Sequence, residues 1–194
     1  MALSSRSQRK VNTIIEQASR LFVRHGYHNV TMESIAQYAN VSKVTLYKYF
    51  KDKQTLYEHI ILLNSTKDLE DIKTIISDFI PYPDKVHSLF QFELTTYYDQ
   101  DRPNLEDDTI LSLETEKAIK KYHANVKKQR QKLYNQGRME EFINEDIPDA
   151  VLELYYSSIL LGLIKNYNHI EKLSEEEKAQ LYTILYKGII KSHE

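Results

Sequence analysis

The chain has 194 residues, with 26 Lys or Arg against 28 Asp or Glu, no cysteine, four glycines and four prolines. The lack of cysteine excludes a disulfide framework and any thiolate metal site, and the longest uncharged apolar run, Leu154 to Ile164, is too short to span a bilayer. The formal net charge of −2 hides a split, because residues 1–53 carry +6 and the remainder −8; a basic segment of this kind favours a polyanion through counterion release, so binding should weaken as salt rises.

In chain order, Met1 to Leu3 and the polar run Ser4 to Lys10 form no apolar signal core, so a cytoplasmic protein is expected. A first helix is predicted from about Ser7 to His25, with Ile14, Ile15, Ala18, Leu21 and Phe22 inward and Gly26 as its stop. The cations of its leading arm, Arg6, Arg9 and Lys10, are placed to reach phosphates or an adjacent minor groove, or simply to solubilise the terminus.

The segment Thr31 to Phe50, TMESIAQYANVSKVTLYKYF, then reads as two short helices around a tight turn. Ile35, Ala36 and Ala39 mark one apolar stripe, while Val41, Leu46 and Phe50 mark the next. Asn40 between them tolerates the left-handed turn conformation, and Thr31 and Ser42 can cap the two helices through their hydroxyls. On a helical projection Leu46 and Phe50 face inward, Val44 and Lys48 face the opposite way, and Thr45 and Tyr47 flank the outward face. That face offers a methyl-bearing group to thymine, hydroxyls to bases or phosphates and ammonium groups to the backbone. Lys43 and Lys53 sit near two successive helix N-termini, where exposed N–H groups also favour phosphate. This is a helix-turn-helix.

A fourth helix is expected after the cap Asp52, through Leu56, Ile60 and Leu63 toward Ile76. Pro81 and Pro83 interrupt the pattern, which resumes through Val86, Leu89, Phe90, Phe92 and Leu94. After a break at Asp99 to Pro103, a long helix from about Leu113 carries Ile119, Tyr122, Val126 and Leu133 inward and should stop at Gly137. Its basic run, Lys117, Lys120, Lys121, Lys127, Lys128, Arg130 and Lys132, is read as a solvated face rather than a second nucleic-acid surface. From Pro148 to Tyr167 apolar groups surround the helix, so it must be covered on more than one side. Ser174 and Glu177 form a capping box opening a last helix. Two such hairpins, one per subunit, would form a four-helix dimer interface of Tyr156, Ile159, Leu160, Gly162, Leu163, Leu181, Leu185 and Ile189. The fold class expected is all-α: a three-helix helix-turn-helix domain over residues 1–53 and a larger helical domain over 54–194.

The run from Gln8 to Ile60 resembles the DNA-binding domain of the tetracycline-repressor (TetR) family of bacterial regulators. The matching residues are Ala18, Leu21, Phe22, Gly26, Tyr27, Thr31, Ile35 and Ala36, followed by VSKVTLYKYFKDKQTLY from Val41 to Tyr57. The resemblance implies phosphate contacts at Thr31, Ser42, Lys43, Tyr47, Tyr49 and Lys53, and base contacts at Val44, Thr45 and again Tyr47. Asn40 stands where the family more often has Gly, and Val44 where Gly, Ala or Pro is common. The family also implies a homodimer on a palindromic operator in double-stranded DNA, the last two long helices as dimer interface, and a cavity for a small, partly apolar effector. The lining expected for that cavity is His87, Phe90, Tyr97, Tyr122 and Tyr155, although core packing is the stronger reading for any single one of them.

A ligand-responsive regulator, most often a repressor in this family, is therefore the expected function. A structural or adaptor DNA-binding dimer governed by a protein partner is the alternative, favoured by a closed core without a cavity. No P-loop, nucleophile elbow, zinc-protease motif or cysteine nucleophile is present, so no enzyme is expected, nor a metal or other cofactor.

Overall fold

The computed structural model describes residues 5–99, 101–103 and 111–187. All regular structure among them is helical: α1 Ser5–Asn29, α2 Met32–Tyr38, α3 Lys43–Tyr49, α4 Lys53–Ser77, α5 Tyr82–Tyr97, α6 Leu113–Met139, α7 Asp149–Lys165, α8 Tyr167–Ile170 and α9 Glu175–Lys187. No helix among the described residues is long and apolar enough to cross a membrane. The chain divides into two compact units, Met1–Asp68 with Asp99–Tyr122 and Leu69–Tyr98 with His123–Glu194, and α4 and α6 each supply residues to both.

In the first unit, α1 breaks at Gly26, whose φ of 74° suits a residue without Cβ. Ile14, Ala18, Phe22, Ile35, Leu46 and Phe50 pack together in one buried core. Leu56, Tyr57, Ile60 and Ile61 of α4 complete it, so the compact unit extends past residue 53. The Tyr57 ring lies edge-on to Phe22 at 5.1 Å and to Tyr27 at 4.9 Å. Asp52 caps α4 by accepting from the Thr55 amide at 2.8 Å. The N-terminal end of α6 is tied to α4 by the Glu58 carboxylate, which accepts from the Ser112 amide at 2.6 Å, the Ser112 hydroxyl at 2.8 Å and the Thr115 hydroxyl at 2.9 Å.

In the second unit α5 packs on α7, with Phe90 and Tyr156 stacked at 4.4 Å. Tyr98 donates its hydroxyl to the Ile164 carbonyl and stacks on Tyr167 at 4.0 Å. Lys85 is buried, and its ammonium closes the end of α4 by donating to the Ile76 carbonyl at 2.8 Å and to Gln136 Oε1 at 2.7 Å. The capping box of α9 forms, with the Glu177 amide donating to Ser174 Oγ at 3.2 Å and the Ser174 amide to Glu177 Oε2 at 2.8 Å.

Three expectations are corrected. Pro81 and Pro83 begin α5 rather than merely interrupt it, since proline at the first turn gives up only an amide that has no helical partner. Gly137 does not stop α6; a Cβ there would meet Ile143 and Tyr82 side chains at 2.8 Å, so the glycine permits close packing, and Glu141, at φ 62°, takes the left-handed turn instead. Arg130 is drawn into the core between two carboxylates, whereas Lys117, Lys120, Lys121, Lys127, Lys128 and Lys132 are exposed as expected.

Candidate nucleic-acid interface

The helix-turn-helix is built by local chemistry. Thr31 caps α2, its hydroxyl accepting from the Ser34 amide at 3.1 Å while Ser34 Oγ accepts from the Thr31 amide at 3.2 Å. Asn40 takes the left-handed turn at φ 51°, where a Cβ residue with a short polar side chain is tolerated. Ser42 then caps α3, accepting from the Thr45 amide at 3.1 Å and sharing a hydrogen bond with the Thr45 hydroxyl at 2.9 Å. Leu46 is fully buried beneath α3, which fixes the rotation of that helix.

With Leu46 inward, α3 presents Val44, 81% exposed, Tyr47, 47% exposed, and exposed Lys43 and Lys48, with Thr45 half-buried beside its cap. Lys43 Nζ donates to Glu33 Oε1 of α2 at 2.8 Å, and this hydrogen bond holds the Glu33 carboxyl below its usual range. The pair is exposed, so water and a phosphate can exchange with it readily. Tyr49 packs half-buried against the core, with Lys48 Nζ 5.9 Å from its ring. Arg6, Arg9, Lys10 and Thr13 of α1 share one open, basic recess with Asn40 and Val41.

Lys53, expected at a phosphate, is held by contacts within the chain. Its ammonium donates to the Tyr27 carbonyl at 2.7 Å and the Val30 carbonyl at 2.8 Å, and lies 4.3 Å from the Tyr27 ring. Burial pushes its pKa down. In this arrangement Lys53 ties down the end of α1 and the start of the helix-turn-helix.

The expected effector lining does not come together as a set. Phe90 and Tyr155 line a cavity in the second unit with Tyr82, Tyr134, Tyr156 and Leu185, but the free space is only about 10 Å³, the room of a single water. His87 packs on Tyr182 at 4.6 Å, Tyr97 packs on Tyr98 at 5.2 Å, and Tyr122 belongs to the first unit.

Of the residues expected at the dimer interface, Gly162 is exposed. Tyr156 and Leu163 are buried within their own unit, and Ile159, Leu160, Leu181 and Leu185 are half-buried; Ile189 lies outside the described residues. What α7 leaves exposed is Val151, Leu154 and Leu161 beside Ser157, Ser158 and Gly162, and α9 leaves Ile184, 69% exposed. Sequence reasoning missed this stripe because α7 is apolar around its circumference, so no single face stands out. It also missed the polar group beside the cavity, where Arg130 joins Glu93 and Glu153.

A capped pair of short helices with an outward second helix defines a helix-turn-helix DNA-binding domain. Residues 14–60 match the family described as bacterial regulatory proteins, tetR family. The chain is 36% identical over 76 residues to the HTH-type transcriptional regulator YhgD of Bacillus subtilis, an alignment spanning 38% of this chain and only 39% of that protein. It is 23% identical to IcaR, the negative regulator of the biofilm operon icaADBC in Staphylococcus aureus, over 89% of this chain and 95% of IcaR. Among solved structures, a TetR family protein from Vibrio parahaemolyticus superposes with a TM-score of 0.71 at 20% identity, covering 94% of this chain and 99% of that one. Residues 14–60 thus match a TetR-family DNA-binding domain, and the whole chain shares the fold of TetR-family structures.

Proposed function

We propose that the protein is a homodimeric repressor that binds a palindromic operator through α3 and is released by a small, partly apolar effector. The carrying observation is the geometry of α3, which buries Leu46 and displays Val44, Tyr47 and Lys48 from a helix capped at Ser42. Val44, Thr45 and Tyr47 read base edges in the major groove, while Thr31, Ser42, Lys43, Lys48 and Tyr49 hold phosphates. Lys53 acts by bracing the loop before α2. The recess of Arg6, Arg9 and Lys10 extends the basic surface beyond the helix-turn-helix. Such a regulator works in the cytoplasm, on the nucleoid when bound to DNA.

The exposed stripe Val151, Leu154 and Leu161, with Ile184, supplies the dimer contact, since an apolar helix face of this length gains by being covered. Two-fold symmetry then sets the half-sites about one DNA turn apart, roughly 34–36 Å, or in an extended arrangement of it. Repression is supported by the name of IcaR, a negative regulator. The effector acts through its difference in affinity between two dimer states, only one of which spaces the two α3 helices for successive grooves.

Footprinting of the DNA beside the protein's own gene, with fluorescence anisotropy at two salt concentrations, tests the reading. A palindromic, salt-sensitive footprint supports it, and weak binding without sequence preference counts against it. A second reading has one observation in its favour: the cavity lined by Tyr82, Phe90, Tyr134 and Tyr156 leaves only about 10 Å³ free, which suits a DNA-binding adaptor controlled by a protein partner. Release of operator DNA by a small molecule separates the two.

A further inference from the structure

Residues 1–53 carry three acidic side chains, and two of them have plain structural tasks. Glu16 pairs with Arg20 one turn further along α1 at 3.0 Å, and Asp52 caps α4. The third, Glu33, is the single acid on α2 and α3. Its Oε1 accepts from Nζ of Lys43, the first residue of α3, at 2.8 Å, and both side chains are more than half exposed.

Glu33 lies two residues from Thr31 and is bonded to Lys43, two of the groups proposed above to hold phosphates. A carboxylate and a phosphodiester offer an ammonium the same thing, an anionic oxygen that accepts its hydrogen bonds. An exposed pair of this kind adds little to folding stability, so its consequence falls on binding. The hydrogen bond from Lys43, followed by one from its own amide, holds the Glu33 carboxyl below its usual range, and it is ionised at neutral pH.

We infer that Glu33 is an internal competitor for DNA: its carboxylate occupies Lys43 in the free protein as a phosphate would, and any duplex must displace it. This rests on the reading of α3 as the DNA-binding helix with Lys43 at a phosphate. Exchanging one anion for another at Lys43 offsets part of the new contact, and the displaced carboxylate then faces the phosphate strand. The neutral pair also brings no net charge to the duplex, so Lys43 drives little counterion release while Glu33 is beside it. Glu33 therefore lowers affinity for DNA of any sequence and flattens its salt dependence. A larger share of the binding energy is left to the base contacts of Val44, Thr45 and Tyr47.

The test needs no operator, because phosphate contacts are independent of sequence. Binding of the full chain to a fluorescein-labelled duplex of mixed sequence is followed by anisotropy over a range of salt concentrations, and a melting curve checks that each variant is folded. Glu33→Gln should tighten binding about threefold for each helix-turn-helix engaged and steepen the slope of log affinity against log salt by about 0.9 for each. Glu33→Ala should do the same. Glu70→Gln makes the same change of charge on an exposed part of α4 in the second unit and should alter neither; an equal effect there would overturn the inference. Lys43→Gln should weaken binding and flatten the slope. If it does neither, Lys43 touches no phosphate, and the reading beneath the inference fails with it. If Lys43→Gln weakens binding while both Glu33 variants leave affinity and slope unchanged, the inference alone is overturned. Weaker binding by folded Glu33→Gln also overturns it, because Glu33 would then hold Lys43 in place for the phosphate rather than compete for it.

Discussion

In the first unit the charged and hydroxyl-bearing side chains of α2 and α3 stand outside a core of Ile14, Phe22, Ile35, Leu46 and Tyr57, whereas in the second unit Lys85, Glu93, Arg130 and Glu153 are drawn inward among tyrosines. The first arrangement suits an external polyanion: the apolar core holds α3 rigid, and the polar groups exchange water for phosphate with little desolvation. The second suits a choice between states. Buried ionic groups stabilise little on balance, but they penalise strongly any state that leaves one of them unpaired, so the unit that carries them is sensitive to what occupies its core.

The contrast is most easily broken at Arg130. Arg130→Met leaves two part-buried carboxylates without a counter-charge and should destabilise the protein by about 3 kcal/mol, measured by urea unfolding; a loss below about 1 kcal/mol would mean the group is solvated. In the first unit Leu46→Ala should cost about 2–5 kcal/mol through the cavity it leaves and should abolish DNA binding at temperatures where the second unit still melts cooperatively.

Leu161→Glu places a charge on the exposed stripe of α7 and should weaken dimerisation at least about tenfold in sedimentation without unfolding the chain. An unchanged dimer would move the interface elsewhere. The smallest effect concerns pH. The Glu93 carboxyl is pushed up by burial, so the folded state holds its proton over a range where the unfolded chain has lost it. Stability should therefore fall as pH rises from the ordinary glutamate range through the raised value. Glu93→Gln should flatten that slope, which denaturant titrations at several pH values would show.

The helix-turn-helix was legible in the sequence because its determinants are local. Thr31 and Ser34, or Ser42 and Thr45, lie three residues apart, Asn40 marks the turn by its own backbone tolerance, and the rotation of α3 follows from Leu46 and Phe50. The interior of the second unit was not legible in that way. Arg130 sits in a run of exposed lysines, and what sets it apart are partners 37 and 23 residues away, Glu93 and Glu153. Gly137 reads like a helix stop until Tyr82 and Ile143 are seen against it. For α7, apolar residues on every side conceal which are buried, Tyr156 and Leu163, and which are left outside, Leu154 and Leu161.

The most direct test of α3 as the sequence reader is selection of binding sites from a random DNA pool by the wild-type protein and by Val44→Ala. The account predicts an enriched palindrome for the wild type and a changed base preference at the same position of both half-sites for the variant, with phosphate-driven salt dependence retained. No enriched sequence, or an identical motif for both proteins, would contradict it.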